Sequence, residues 1–293
     1  MQRASLGAAV ALTPIGEGAA AAQPGPRWKI IAFSKPFTHL SFDDTADLVA
    51  DVGWDGIECP VRKSSTHIVP ERVEEDLPKM VEALEKRGRD VAMITTDITG
   101  VDRSGEQILR TAARLGIRRY RLGAIRYTPN KSIPDQLKEI APRIRDLAQL
   151  NKSIGIQGGI QNHSGQDYFA APVWDAFEVI QGLDPSAIGL DFDIGHATLE
   201  GGLSWPIQAR LVAPRLSMVY VKDFRWEKQE KGWTPVWCPL GQGAVNRKFF
   251  AMLAASSFAG PIGQHHEYEL GKATAEMKVH FKRDLQVLKD WLA

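Results

Sequence analysis

The sequence has little of what marks several large classes of protein. Only two of its 293 residues are cysteines, Cys59 and Cys238, and their spacing matches no metal-binding motif. Two cysteines form no disulfide framework, so two separate buried thiols are the simpler interpretation, with a single disulfide as the alternative. The formal net charge is +1, so no overall field favours nucleic acid or an anionic membrane as a partner.

Long apolar runs are also missing, since nothing in the chain approaches the ~20 apolar residues that span a bilayer. Residues 1–26 nevertheless stand apart, with Arg3, a short apolar run from Leu6 to Leu12 and an Ala-rich stretch. This order resembles a secretory leader and predicts a periplasmic or secreted protein. Because Pro14 and Glu17 interrupt the end of the apolar run, the alternative is a disordered N-terminal tail on a cytoplasmic protein.

From Trp28 onward, short β-rich segments alternate with amphipathic helical stretches. The eight segments are WKIIAF, WDGIEC, DVAMITTD, RRYRLG, IGIQGGIQNHSG, AIGLDFDIGHA, LSMVYVKDF and GPIGQHHEYEL. Such alternation predicts parallel strands joined by helices, and eight units suit a barrel of ~250 residues. An open doubly wound sheet is the alternative, but AFSKPFTH lacks the glycine-rich loop of that fold. We therefore predict one α/β domain over residues 27–293, a (β/α)8 TIM barrel, with a long polar connection from Arg225 to Asn246.

Polar side chains collect where these strands should end, which in a barrel of this kind is where catalytic groups lie. Because alternate residues of a strand face the same side, we expect four pairs to point inward together. These are Gln161 with His163, Asp191 with Asp193, Tyr220 with Lys222, and His265 with Glu267. His266 is out of phase and should face the helices.

Six stretches follow one another along the chain: GWDGIE, QNHSG, DFDIGHA, VKDF, PLGQGAVN and HHEYEL. In this order they resemble the motifs of the sugar phosphate isomerase/epimerase family, the xylose isomerase-like TIM barrels. The resemblance runs from about Trp28 to the C-terminus. It implies an enzyme that acts on a saccharide.

The resemblance also implies a divalent metal held by Glu, Asp, His and Glu, which fall on Gln161, Asp193, Tyr220 and Glu267. Only Asp193 and Glu267 match. A neutral amide is a weaker ligand than a carboxylate for a hard cation, and tyrosine, with a free pKa of ~10, is a poor ligand at neutral pH. The prediction is a divalent ion (Mn, Zn, Co or Mg) on Gln161, Asp193, His265 and Glu267; the alternative is that no metal binds.

The two glutamates that flank the reacting carbon in epimerases of this family fall on Gln161 and Glu267. Because glutamine cannot act as a base, we predict that Glu267 alone removes a proton next to a carbonyl, with Lys222 or His196 as proton donor. One base and one acid suit isomerisation of a keto-sugar on one face. They also suit β-elimination from a 3-keto-glycoside, the reaction of a lyase branch that this chain also resembles.

Contacts with the substrate are predicted for Glu58, Asn162, His163, Arg121 and Trp233. Trp233 lies in FRWEKQEKGWTPVW with two further tryptophans, and aromatic rings at the mouth of a site can stack on sugar faces. The alternative for these tryptophans is packing within the loop or a contact between copies of the chain in a homo-oligomer. For Glu58 the alternative is an ion pair with a neighbouring arginine.

Two functions of other classes compete with a saccharide enzyme. A non-catalytic sugar-binding barrel would explain the altered ligands as a loss of chemistry. A DNA-repair nuclease of the related endonuclease IV type needs a multi-metal cluster and a basic surface, and the net charge of +1 argues against it. The expected partner is therefore a small saccharide, without nucleic acid or membrane.

Overall fold

Eight parallel strands close into a barrel in the computed structural model, which describes residues 28–293. The strands are β1 (Ile30–Phe33), β2 (Gly56–Val61), β3 (Asp90–Thr96), β4 (Arg119–Arg121), β5 (Gln157–Gln161), β6 (Ile188–Asp193), β7 (Leu216–Val221) and β10 (Ile262–Gln264). Each strand pairs with the barrel strand before and after it, and β10 closes the ring by pairing with β1. The predicted single (β/α)8 barrel is confirmed; the leader predicted for residues 1–26 lies outside the described residues.

Helices separate the strands and form the outer layer. They are α1 (Phe42–Val52), α2 (Val73–Glu85), α3 (Arg103–Arg114), α4 (Ile133–Ile154), α5 (Trp174–Ile180), α6 (Ile194–Gly201), α7 (Trp205–Val212), α8 (Lys248–Ala254) and α9 (Thr274–Leu292). Three of these helices begin after a residue whose side chain accepts a hydrogen bond from the backbone N–H three residues later. These residues are Ser41, Asp102 and Ser132. Among the helices of residues 28–293, none has both the length and the apolarity needed to cross a membrane.

Two elements differ from the sequence-based expectation. The connection after β7 contains an antiparallel hairpin of β8 (Asp223–Gln229) and β9 (Gly232–Cys238). Helix α6 follows β6 with no loop between them, and the Asp193 side chain caps it. The hairpin escaped prediction because most of its residues are exposed or only partly covered, so it lacks the regular apolar alternation of a half-buried strand.

The main apolar core lies between the strands and the helices, and a smaller one lies inside the barrel. The inner cluster consists of Ile31, Met93, Met218 and Tyr220. Gly159 leaves the room there that the buried Asp191 carboxyl occupies, because a Cβ at this position would collide with it. His266 packs against Trp54 and Phe281 of α9, on the helix side as expected. The interior is thus filled by side chains, and open space remains only towards the ends of the strands.

His67, in the loop after β2, makes the stability of this fold depend on pH. Its ring packs against Phe37, and burial lowers its pKa to about 4. The unfolded chain, with a His pKa of ~6.5, therefore binds the proton more readily. Stability from this residue is complete above the unfolded value and is lost as the pH falls towards 4.

We expect His67→Phe to remove about 2 kcal/mol of the stability loss that the wild-type protein shows between pH 8 and pH 5. Urea unfolding at both pH values measures the difference. His39→Gln is the matched control, because His39 is an exposed residue of the neighbouring turn and its charge is the smallest of the causes that shift the His67 pKa; it should keep most of the loss. An equal loss in wild type and His67→Phe would contradict the assignment.

Candidate active site

A cavity of about 230 Å³ opens at the carboxyl ends of the barrel strands. Its polar wall includes Arg121, Gln161, His163, His265 and Glu267. These residues end or follow strands β4, β5 and β10, and they meet because parallel strands of a barrel end on the same side. The volume lies below the ~300–1,000 Å³ of pockets for drug-sized ligands, so the cavity fits a molecule of about monosaccharide size.

The remaining wall is partly aromatic. Phe33, Tyr168 and Phe169 line the same cavity. The Arg121 guanidinium carbon lies 4.9 Å from the centre of the Phe33 ring, and the Tyr168 ring lies 4.7 Å from that of His163. A ring with a polar neighbour offers a sugar both an apolar face and hydrogen bonds.

Glu58 forms a buried ionic centre beneath this cavity. Its Oε1 lies 3.4 Å from Arg121 Nε and accepts a hydrogen bond from the Tyr220 hydroxyl at 3.0 Å. Its Oε2 lies 3.2 Å from His265 Nε2, and Thr95 donates a further hydrogen bond. Burial would raise the pKa of this carboxyl, but the Arg121 and His265 charges lower it to about 2. Glu58 is fully buried and does not line the cavity. It holds Arg121, and its predicted contact with the substrate stays a prediction.

Gln161 connects Arg121 to Asp193. Its Oε1 accepts from Arg121 Nη1 at 2.8 Å, and its Nε2 donates to Asp193 Oδ2 at 3.0 Å. Asn162, predicted to bind substrate, instead bonds the backbone N and O of Asp193. Asp193 Oδ1 accepts from the His196 backbone N–H at 3.0 Å. Asp193 therefore caps helix α6, and the same carboxylate also belongs to the site.

Lys222 joins the two carboxylates that match the family pattern. Its Nζ lies 2.8 Å from Glu267 Oε1 and 3.4 Å from Asp193 Oδ2. It also lies 4.5 Å from the centre of a Trp237 ring. Burial alone would raise the pKa of Glu267, but the Lys222 ammonium and His265 hold it well below the usual range. Glu267 is therefore ionised at neutral pH.

The two histidines on the β5 and β6 side differ in their access to the cavity. His163 lines it, and its Nδ1 lies 2.8 Å from the carbonyl oxygen of Ser164. His196 packs on His163 at 4.1 Å between ring centres, and its Nδ1 lies 2.7 Å from the Ser164 hydroxyl. Burial and the Lys222 charge lower the pKa of both. His196 and Lys222 stand behind the cavity wall, so their positions do not support direct proton transfer to substrate.

The tryptophan nearest the site is not the one predicted. Trp233 lies at the end of the hairpin, two-thirds exposed, and does not line the cavity. Trp237, on the same strand, packs on Lys222 and His196 instead. Asp223 accepts four backbone hydrogen bonds, three of them from residues 241–245. It thereby shapes the PLGQGAVN stretch. Sequence reasoning missed Trp237 because it took the hairpin for an irregular connection.

The donor set of this site does not fit the divalent metal that the family resemblance implies. Among residues 28–293, no group of three or more His, Cys, Asp or Glu side chains could hold a metal ion. Lys222 lies against both carboxylates, Gln161 turns its amide nitrogen towards Asp193, and Tyr220 directs its hydroxyl at Glu58. The four predicted ligands are close neighbours, but they are not arranged around a common cation position.

A family model described as a xylose isomerase-like TIM barrel matches residues 46–291. No curated protein matches the chain closely enough to count as a relative.

Solved structures resemble the chain over nearly its whole length. A xylose isomerase-like TIM barrel protein from Mycobacterium smegmatis in complex with magnesium is 19% identical, with a TM-score of 0.66 over 91% of this chain and 98% of that one. The 3-keto-D-glucoside 4-epimerase of E. coli is 16% identical, with a TM-score of 0.69 over 90% and 99%. A probable 3-DHS dehydratase from Bacillus anthracis is 16% identical, with a TM-score of 0.68 over 89% and 98%. At these identities the likeness is one of fold.

We expect Glu58→Gln to lower the free energy of unfolding by about 3–5 kcal/mol, because it leaves the buried Arg121 without its carboxylate partner. Chemical denaturation measures the change. Glu227→Gln, which breaks an exposed ion pair with Arg225 on the hairpin, is the control and should change stability by less than ~1 kcal/mol. Similar small effects of both substitutions would show that Glu58 is not the ionic centre described here.

Proposed function

This chain belongs to the xylose isomerase-like TIM barrel family, and from that premise we propose that it is an isomerase/epimerase-like enzyme acting on a keto-sugar. The reaction we assign is removal of a proton from the carbon next to a carbonyl group. The observation that carries the proposal is that Glu267 lies on the cavity wall with Lys222 and His265 against it. Glu267 is ionised and can accept a proton from a molecule in this cavity, although the neighbouring charges that keep it ionised also make it a weaker base than a carboxylate with a pKa near the working pH.

Glu267 is the base in this proposal. Lys222 and His265 both approach its Oε1, at 2.8 and 3.7 Å, so we assign the proton transfer to Oε2. Lys222 keeps the carboxylate ionised and fixes its direction. It acts through Glu267 as a positioning residue, because its side chain is only 2% exposed.

Arg121 is the group that we assign to the carbonyl oxygen. Negative charge develops on this oxygen as the proton leaves, and a fixed cation in a partly dry site stabilises it. Glu58 and Gln161 hold the guanidinium in place, so little reorganisation is needed during the reaction. Phe33 and Tyr168 supply apolar faces for the sugar ring.

Gln161 argues against one of the reactions that could follow this proton transfer. A glutamine cannot return a proton on the opposite face of the substrate, so two-carboxylate epimerisation is disfavoured. Glu267 can return the proton on the same face to the former carbonyl carbon, while the hydroxyl proton of the deprotonated carbon passes to the former carbonyl oxygen, which is isomerisation. The second candidate is β-elimination from a 3-keto-glycoside, in which Glu267 takes the proton beside the ketone, the bond to the aglycone breaks, and the departing oxygen takes a proton from Glu267 or from solvent water. The lack of a second carboxylate at Gln161 favours this reaction equally. A probable dehydratase among the similar folds is consistent with elimination in this kind of barrel.

The proposal is tested by incubating the protein in D2O with D-tagatose, D-allulose and a 3-keto-D-glucoside, followed by mass spectrometry. Deuterium at a carbon next to the carbonyl supports proton abstraction. An isomeric sugar then identifies the isomerase, whereas an unsaturated sugar with a released aglycone identifies the lyase. A protein that binds these sugars without any exchange would be the non-catalytic barrel.

On the substrate so identified, we expect Glu267→Gln to lower kcat by roughly 10²–10⁴-fold, the usual contribution of a positioned base. Glu269→Gln is the matched control, since Glu269 is exposed and follows two residues later. It should retain wild-type turnover. If Glu267→Gln kept wild-type deuterium exchange, another residue would have to be the base.

A further inference from the structure

We propose that the ammonium group of Lys222 occupies the role of a divalent cation in this site, so that the protein holds Asp193 and Glu267 together without a metal. The charge and hydrogen-bond partners of the two carboxylates carry this inference. It is independent of the reaction proposed above, because its test measures metal binding and not turnover.

Lys222 lies buried between the two carboxylates. Its Nζ bridges Glu267 Oε1 at 2.8 Å and Asp193 Oδ2 at 3.4 Å, and its side chain is only 2% exposed. The Trp237 ring covers the ammonium at 4.5 Å. A divalent ion between these carboxylates would have to displace a buried cation that is already paired, or lie against it at the cost of repulsion between like charges.

Both carboxylate oxygens of Asp193 face donors supplied by the protein. Oδ2 faces both Lys222 and the Gln161 amide nitrogen, while Oδ1 accepts from the His196 backbone. Each oxygen therefore has a donor directed at it. A cation at Asp193 would have to share the carboxylate with these donors, which leave it fewer of its lone pairs.

Arg121 determines the orientation of Gln161. The guanidinium donates to Gln161 Oε1 at 2.8 Å. Turning the amide over to offer oxygen to a metal near Asp193 would place its NH2 against the Arg121 donors and its oxygen against the Asp193 carboxylate. The amide is thus held with its donor side towards the carboxylate, which is the opposite of what a metal site requires.

Tyr220 fills the position where the family has a histidine. It is fully buried and donates its hydroxyl to Glu58 at 3.0 Å, towards the barrel interior. Its partner is thus a carboxylate outside the Asp193–Glu267 pair. At two of the four family positions, the side chains of Gln161 and Tyr220 therefore hydrogen-bond other protein groups. At the other two, Lys222 bridges Asp193 and Glu267.

The test is titration with Mn²⁺ of protein freed of metal by EDTA, with free Mn²⁺ followed by electron paramagnetic resonance. We expect that the wild-type protein binds no stoichiometric Mn²⁺ at free concentrations up to about 1 mM. A Kd of this size corresponds to a binding free energy of about −4 kcal/mol. Lys222→Met with Gln161→Glu removes the ammonium and adds a third carboxylate. This double variant should bind one Mn²⁺ per chain at least 100-fold more tightly than wild type, with a rise in Tm on adding Mn²⁺.

Gln161→Glu alone is the matched control, because it adds the carboxylate and leaves Lys222 in place. We expect it to bind Mn²⁺ no better than wild type. Equal binding by this single variant and the double variant would overturn the proposal, as would a double variant that folds and gains nothing. Stoichiometric Mn²⁺ binding by wild type that Asp193→Asn abolishes would overturn it as well, and this measurement does not depend on whether the double variant folds.

Discussion

The mouth of this barrel depends on a buried ammonium group between two carboxylates. Lys222 follows β7, Asp193 ends β6 and Glu267 follows β10, so one cation ties together three neighbouring strand ends. Without it, the buried Asp193 carboxylate and the partly exposed Glu267 carboxylate would lie close together with like charge, which costs more than it would between two fully exposed groups. The direction of Glu267, the engagement of Asp193 and the packing of Trp237 all follow from this contact.

A second ionic centre lies deeper, where Glu58 holds Arg121, His265 and Tyr220. Gln161 links the two centres on one side, because it bonds both Arg121 and Asp193. His265 links them on the other side through its contacts with Glu58 and Glu267. Nearly all these charged groups have partners of opposite charge, which is the condition under which charges tolerate burial. The cavity above them consequently has walls whose polar groups point in fixed directions.

The sequence predicted much of the fold and part of the site. The eight units, their order and the inward pairs such as His265 with Glu267 follow from alternation along single segments, which local periodicity reveals. The role of each residue in the site was harder to predict from the sequence. Glu58 and Asn162 were predicted to touch substrate, and the structure shows the further contacts that they make with Arg121 and the Asp193 backbone. The sequence places a polar residue at a strand end without showing whether a neighbouring strand supplies it with a partner.

The sequence by itself determined the barrel and the residues gathered at its rim, because strand and helix periods are encoded in consecutive residues. Only the tertiary structure decided which rim residues line the cavity and which stand behind it. Lys222 and Asp193 come from different strands, and their contact depends on how far each side chain reaches into shared space. Tertiary packing also brought Trp237 rather than Trp233 to the site, because Trp237 pairs with Phe224 at the base of the hairpin, whereas Trp233 pairs with Lys228 near its turn.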